Sequence, residues 1–532
     1  MHLQRTRRWL PVTLLAAALL SPSACTVIYD PGSGSDSDQP PSGDDPTPTF
    51  PPPRGPTALQ LDAVEPAWLF EGEGGNLNAS AIPVVVYGAG ISQDATLDIT
   101  VAPLDEPPTT PAPPTRPLIT EGRWISTDGS LAATTVRVPS IDWLSDGEAL
   151  DLDITLRQGD EVVTIPWRIV GLDELTVSGP RFSTDDLVRE RYSLITFADD
   201  VHIVGDEPAR FMATEAILID ARVDVDGADG GSGDDGGAGA CPGGLSAQDG
   251  GCGPSAGRGA DMEVLSGFGG GGGGFGEPGG AGAGGSGAGA GGEISGDAML
   301  SAFTYDDPAR DNRGSGGGGG GRGTVGLTVI DGGSGGGSGG VIELSSDGII
   351  HFGPAGSVSA RGGDGESVDI AAGGGGGGSG GAILMRARGG ITSEGDRPRL
   401  DAAGGSGGLG AYEGGDGGSG RIRVDAASDI APSFTDTPTF RRGPMWSPLL
   451  FPVVDVSVPD LDLIGEGSQP FSVRCDDRVL VASEQFDGGG QARFAAPLEP
   501  GLNTLCVHVD AMELVDTSKS EAQNCTRIAY IP

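Results

Sequence analysis

Leu150, Leu152, Ile154 and Leu156 alternate with Asp151, Asp153, Thr155 and Arg157. After Gln158-Gly159-Asp160 the alternation resumes at Val163, Ile165, Trp167 and Ile169. Period-two patterning on both sides of a glycine turn predicts a hairpin with one buried face. Pro166 cannot donate to a ladder, so its strand is expected at an edge or a bulge. Upstream, Val84 to Tyr87 followed by Gly88-Ala89-Gly90 predicts another strand and turn. Together these place a small β-sandwich over residues 57–172.

The chain closes with the same kind of pattern. Val454, Val456 and Val458 alternate, as do Phe471, Val473 and Cys475, and Leu505, Val507 and Val509. Residues 452–532 therefore read as a second, immunoglobulin-like sandwich. It is expected to cap the open end of the region before it, where strand edges would otherwise be exposed.

Residues 175–426 behave differently. Short strands are predicted at LITFA, VHIVG, ARFMA, AILID and RVDVD, between Ser193 and Asp226. From Gly227 to Gly420 more than a third of the residues are Gly. The strings GGGSGG-VIEL, GGGGGGSGG-AILMRA and GGDGGSGR-IRVDA carry their serines at Ser338, Ser379 and Ser419, spaced by 41 and 40 residues. A second marker, an alanine before a Gly pair, recurs at Ala360 and Ala403. Each unit reads as short strands followed by a Gly-rich excursion. Such a repeat, without helices, predicts a right-handed parallel β-helix in which stacking supplies the core that one coil lacks. There is no G-x-y period, which excludes collagen. Gly tracts bury no side chain and lose the most entropy on ordering, so they order only if neighbours satisfy their backbone. Their spacing places them on one flank, packed side by side as extended helices. The expected fold class is thus all-β: a Gly-rich right-handed parallel β-helix flanked by two small immunoglobulin-like β-sandwiches.

Three resemblances add to this reading. Arg5, Arg7 and Arg8, the apolar run Leu10 to Leu20, and Ser23-Ala24-Cys25 resemble a bacterial lipoprotein signal. Pro22 departs from that pattern, which expects an aliphatic residue there. The resemblance implies a signal peptide over residues 1–24 and lipidation of Cys25. The Pro/Gly/Ser/Asp-rich segment within residues 25–56 reads as a tether. Val64-Glu65-Pro66, Gly74-Gly75 and VVVYGAGI resemble the start of TIG-like immunoglobulin domains. The SGG-[AV]I strings and alanine–glycine turns are similar to Gly-rich modules in surface lipoproteins and secreted proteins of high-GC bacteria; this implies a fold and a surface location, but no chemistry.

Composition narrows the chemistry. Gly is 98 of 532 residues, and 74 acidic against 32 basic residues leave a net charge of −42. So acidic a chain repels phosphate backbones, and no nucleic-acid partner is expected. Lys519 is the one lysine, without a phosphate-binding loop before it, and His2, His202, His351 and His508 are scattered. No cofactor or metal site is expected. The GxSxG matches at Ser334, Ser338, Ser379, Ser406 and Ser419 lack the strand–turn–helix context of a nucleophile elbow. Asp224, Asp226, Asp229, Asp234 and Asp235 form an acidic turn without the order of a calcium loop. Arg386, Arg388, Arg421 and Arg423 alternate along strands, so each pair faces one side and could line a groove or simply face solvent. Cys241 and Cys252 flank a Gly/Pro-rich loop and could close a ring; among Cys475, Cys506 and Cys525 the spacing does not choose a pair.

The expectation is a cell-envelope lipoprotein, anchored in the outer membrane or at the cell surface. Its role is structural or adhesive, not enzymatic, with envelope polysaccharide or a surface protein as partner. A carbohydrate-active β-helix enzyme, a lyase or hydrolase, is the alternative.

Overall fold

Short runs of Ile, Val and Leu set between Gly and Asp turns have too little length for helices, and the chain is all-β. The computed structural model describes residues 58–532 except 75–79, 102–118, 139–143, 145–146, 190, 235, 253–254, 262–265, 297–299, 301–311, 370, 396, 428–432, 435–438, 448, 450–451, 476–477 and 509–523. The leader, Cys25, the tether and Asp235 lie outside the described residues. So does Val509.

The first region builds two four-stranded sheets. One orders the strands Gln60–Glu65, Ile82–Ala89, Leu131–Arg137 and Ile119–Ile125, all antiparallel. The other orders Trp68–Phe70, Glu161–Val170, Ala149–Gln158 and Thr96–Val101. Val84, Val86 and Val136 of the first sheet meet Leu152, Ile154, Trp167 and Ile169 of the second in one core. The 149–170 hairpin turns at Gly159-Asp160, with Gln158 paired to Glu161. Pro166 is tolerated because the neighbouring strand reaches only Arg168–Val170.

The middle region is a stack of parallel strands. Leu175–Val177, Tyr192–Phe197 and Ala209–Ile219 pair in succession. Ala209–Ile219 then carries both Val341–Ser346 and Ile349–Phe352. The next strands follow in register: Ile342 beside Ile383, Ile383 beside Ile422, and Ile422 beside Phe440. A second parallel sheet takes one short strand from each unit and aligns Val223, Val358, Leu400 and Phe434. The inward side chains of both sheets form a single core, including Phe197, Phe211, Ile217, Ile350, Phe352 and Met385. Parallel pairing continues past Ala426 to Thr439–Arg442, so the stack outruns its expected boundary.

The last region pairs a three-stranded sheet (Met445–Trp446, Asp460–Ile464, Gln491–Ala495) with a five-stranded one that includes Pro470–Cys475, Gly501–His508 and Asn524–Tyr530. Trp446 belongs to its core, so this region begins before Pro452. Cys506 and Cys525 sit opposite each other on adjacent strands and form a disulfide, leaving Cys475 buried and unbridged. The expected alternation at Val456 and Val458 does not make a buried strand face. Both side chains are exposed, because the chain bends here and Pro459 precedes the strand Asp460–Ile464.

The last region also packs against the first region and the outer face of the stack. Val453, Ala529 and Ile531 pack against Val85, Leu131 and Ala133 of the first region. Asn524 reaches the outer face of the parallel sheet and donates to Asp425 at 3.0 Å. The physical reason is apolar area on both terminal regions that alternation in one strand does not reveal.

Candidate functional site

The Gly tracts leave the stack between its strands and form a hydrogen-bonded array of their own. Residues 373–381 show its geometry. Gly373, Gly376 and Ser379 donate their N–H groups to Gly321, Gly318 and Ser315. Gly374, Gly377 and Gly380 donate to Tyr412, Gly415 and Gly418. Gly375, Gly378 and Gly381 donate to Glu366, Gly363 and Ala360. Every third residue turns to the same neighbour, which is the threefold period of an extended polyproline-II-type helix. The carbonyls of the same tract accept from residues 333–339, 270–273 and 405–408. One tract is thus ringed by six others.

This arrangement accounts for the composition. A Cβ on Gly373, Gly376 or Gly378 would sit inside the radius of a backbone carbonyl oxygen of Phe268, Gly271 or Gly337. The requirement is close approach, not a special backbone angle. Two of the three repeat serines are buried fasteners. Ser338 Oγ accepts from the Cys241 amide at 2.8 Å, and Ser379 Oγ accepts from the Ser315 amide at 2.8 Å. Neither is exposed, so neither is placed as a nucleophile. Cys241 and Cys252 are joined by a disulfide within the first tract.

The acidic residues at the array's margin replace missing carbonyls. Asp226 accepts from the Arg361 amide at 2.7 Å, Asp229 from the Asp364 amide at 2.8 Å, and Asp364 in turn from the Ser406 amide at 2.7 Å. Asp224 pairs with His202 and Arg222. Burial raises the Asp226 carboxyl above its ordinary value, against hydrogen bonds from Ser359 and the Arg361 amide that lower it. These carboxylates fasten neighbouring tracts. Asp234 is exposed, and its amide donates to Ser232 Oγ.

The four arginines do not line an open groove. Arg386, Arg421 and Arg423 are buried beneath the last region and the first Gly tract. Arg423 pairs with Asp425 at 2.8 Å, and Arg386 bridges Glu343 at 2.9 Å and Asp425 at 3.3 Å. Arg421 lies 4.6 Å over the Phe275 ring and donates to its carbonyl. Only Arg388 keeps substantial exposure, beside Asp347 at 3.3 Å. The groove expectation fails because the outer face of this sheet is covered, so its charges had to be paired within the fold. Burial raises the Asp425 carboxyl, but Arg423 and Arg386 outweigh it and hold it below the ordinary range.

The remaining feature is the far end of the array. The tracts enter the stack at Val341, Ala382 and Arg421. At about 3.1 Å per residue, a nine-residue tract carries its other end roughly 25–28 Å away. There the hairpin Gly323–Val325 and Thr328–Ile330 projects. Val325, Leu327 and Val329 are exposed, and Leu327 wholly so. Leu245 is also exposed; the Gly332 amide at the hairpin's root donates to Ser246 Oγ beside it. Exposed Leu409 donates its amide to Ser367 Oγ at the same end, where the Ala411 amide reaches Ala372. Valines at 325 and 329 lie one residue out of cross-strand register, so they point to opposite faces of the hairpin and neither is covered. Hydrophobic periodicity could not single out this tip, because the loops are short and isolated among glycines.

No protein-family model matches the chain, and no curated protein is similar to it in sequence.

Proposed function

We propose that this chain is a lipid-anchored, non-enzymatic protein of the cell surface with an adhesive role, and that the tip of its Gly array makes the contact. The middle region would be a right-handed parallel β-helix, and the terminal regions two immunoglobulin-like sandwiches. The in-register parallel ladders and their single core favour the helix, and the paired four-stranded sheets favour the first sandwich. The anchor rests on the lipoprotein-like leader alone.

One observation carries the adhesive reading: a fastened, backbone-bonded array holds exposed Val325, Leu327, Val329, Leu245 and Leu409 away from the stack. Exposing five large apolar side chains at one end of the array is unfavourable unless a partner covers them. Val and Leu offer no donor or acceptor to a sugar hydroxyl, so a protein surface suits them better than a polysaccharide. Arginines that a lyase would use as a base are engaged internally, which favours the non-enzymatic reading over a carbohydrate-active enzyme.

The test is adhesion of beads coated with the full chain to cells of the source and neighbouring species. The variant V325D/L327D/V329D should lose roughly nine-tenths of attachment, as hot-spot truncations do, with an unchanged circular dichroism spectrum. Unchanged attachment would overturn the reading.

A further inference from the structure

Where the stack meets the last region, a cavity of about 200 Å3 opens over the outer face of the parallel sheet. Arg191, Arg386 and Arg388 line it from the stack, with Ser345 and Asp347, and Asn524 lines it from the last region. Two arginines converge on one carboxylate here: Asp347 lies 3.6 Å from Arg191 and 3.3 Å from Arg388. Neither pair reaches the 2.7–2.9 Å of a direct charge-assisted hydrogen bond. The deeper pairs nearby do, at 2.8 Å for Arg423–Asp425 and 2.9 Å for Arg386–Glu343. The guanidinium groups of Arg191 and Arg388 are therefore near Asp347 but not saturated by it.

The charge balance adds to this. Arg386 and Arg423 together balance Glu343 and Asp425, so Arg191 and Arg388 against Asp347 leave one positive charge facing the cavity. An adjoining pocket adds Arg527 beside Glu73 at 3.7 Å. Glu73 is buried, and burial raises its carboxyl above the ordinary value. A local positive surplus inside a chain of net charge −42 is unexpected unless something negative fills it.

We propose that this cavity binds a small oxyanion, held between Arg191 and Arg388 with the Ser345 hydroxyl as a neutral partner. The guanidinium fork matches the oxygens of a sulfate, phosphate or carboxylate, and a cavity of this size takes one such group. The group can be a free ion or the acidic substituent of a sugar. The stack supplies the groups that hold the anion, and Met445, Asn524 and Cys525 of the last region wall the cavity.

Calorimetric titration of the intact chain with sodium sulfate and separately with glucuronate, at constant ionic strength in chloride, tests the assignment. Saturable binding of either supports it; sulfate alone assigns a free ion, and tighter glucuronate assigns a sugar-borne carboxylate. R388Q should abolish the binding, whereas R478Q, at the half-exposed pair with Glu499, should leave it unchanged. D347N removes the competing carboxylate and should tighten binding about fivefold. Arginines serving only as structural pairs would instead give no saturable heat, or the same heat in R388Q and no tightening in D347N; either result overturns the proposal.

Discussion

The parallel stack and the Gly array are neighbours in one chain, and they are held together by opposite means. In the stack, Ile342, Ile383 and Ile422 lie one above another, and apolar area removed from water drives the order. Hydrogen bonds there only organise what burial favours. The array has almost nothing to bury, so its order depends on backbone bonds like those that residues 373–381 make in three directions. A net gain of about 0.5–1.5 kcal/mol per bond stands against an ordering cost of about 1–2 kcal/mol per residue. Such a lattice holds only when the bonds are nearly complete and the tracts are fastened at both ends. Ser338, Ser379, Asp226, Asp364 and the Cys241–Cys252 bridge are those fastenings.

The contrast can be broken from either side. The largest effect is expected from I383A, which empties a fully buried site in the stack; denaturant unfolding should show a loss of about 2–5 kcal/mol. A smaller loss would mean that the stack also leans on its hydrogen bonds. In the array the sensitive change is an addition. G376A places a methyl against the Gly271 carbonyl and should cost about 1–3 kcal/mol. At Gly395 a Cβ meets nothing closer than 3.8 Å, so G395A should be neutral or slightly stabilising, within about 1 kcal/mol. Equal effects at the two glycines would mean that the array is not close-packed in solution.

The smallest effect concerns the junction between regions, read through pH. Asp425 has a depressed carboxyl in the fold, so its contribution is complete above the ordinary aspartate value near 3.9 and is lost as the pH falls through the lower folded value. Glu73 behaves in the opposite sense. Its carboxyl is raised by burial, so its contribution is complete below the ordinary glutamate value near 4.3 and is lost as the pH rises through the raised one. E73Q should therefore raise the melting temperature at pH 7 and leave it unchanged at pH 4. A variant that lowered it at pH 7 would show that the Arg527 pair outweighs burial.

Legibility in the sequence follows the same division. Leu150 to Ile169 announced its hairpin, because one buried face against solvent writes a period of two. The repeat at Ser338, Ser379 and Ser419 marked the units of the stack, because each repeat must place the same residues at the same height. The arginines misled: alternation shows that Arg386, Arg421 and Arg423 face away from the core, but not that another region lies on that side. Val456 and Val458 misled for the converse reason, since alternation interrupted by Pro459 carries no strand. The tip residues gave no signal, as Leu245, Leu327 and Leu409 are single apolar positions among glycines.

What the residues determined alone was local. Alternation chose strands, the 40-residue recurrence chose stacking, and the glycines removed every side chain that would keep tracts apart. What only the tertiary structure decided was partnership: which tract donates to which, that Cys506 rather than Cys475 meets Cys525, and that the two terminal regions meet each other. The physical reason is range. Periodicity records the environment of a residue averaged over a few neighbours, whereas a bond from Gly376 to Gly318, or from Asn524 to Asp425, depends on where distant segments of chain arrive.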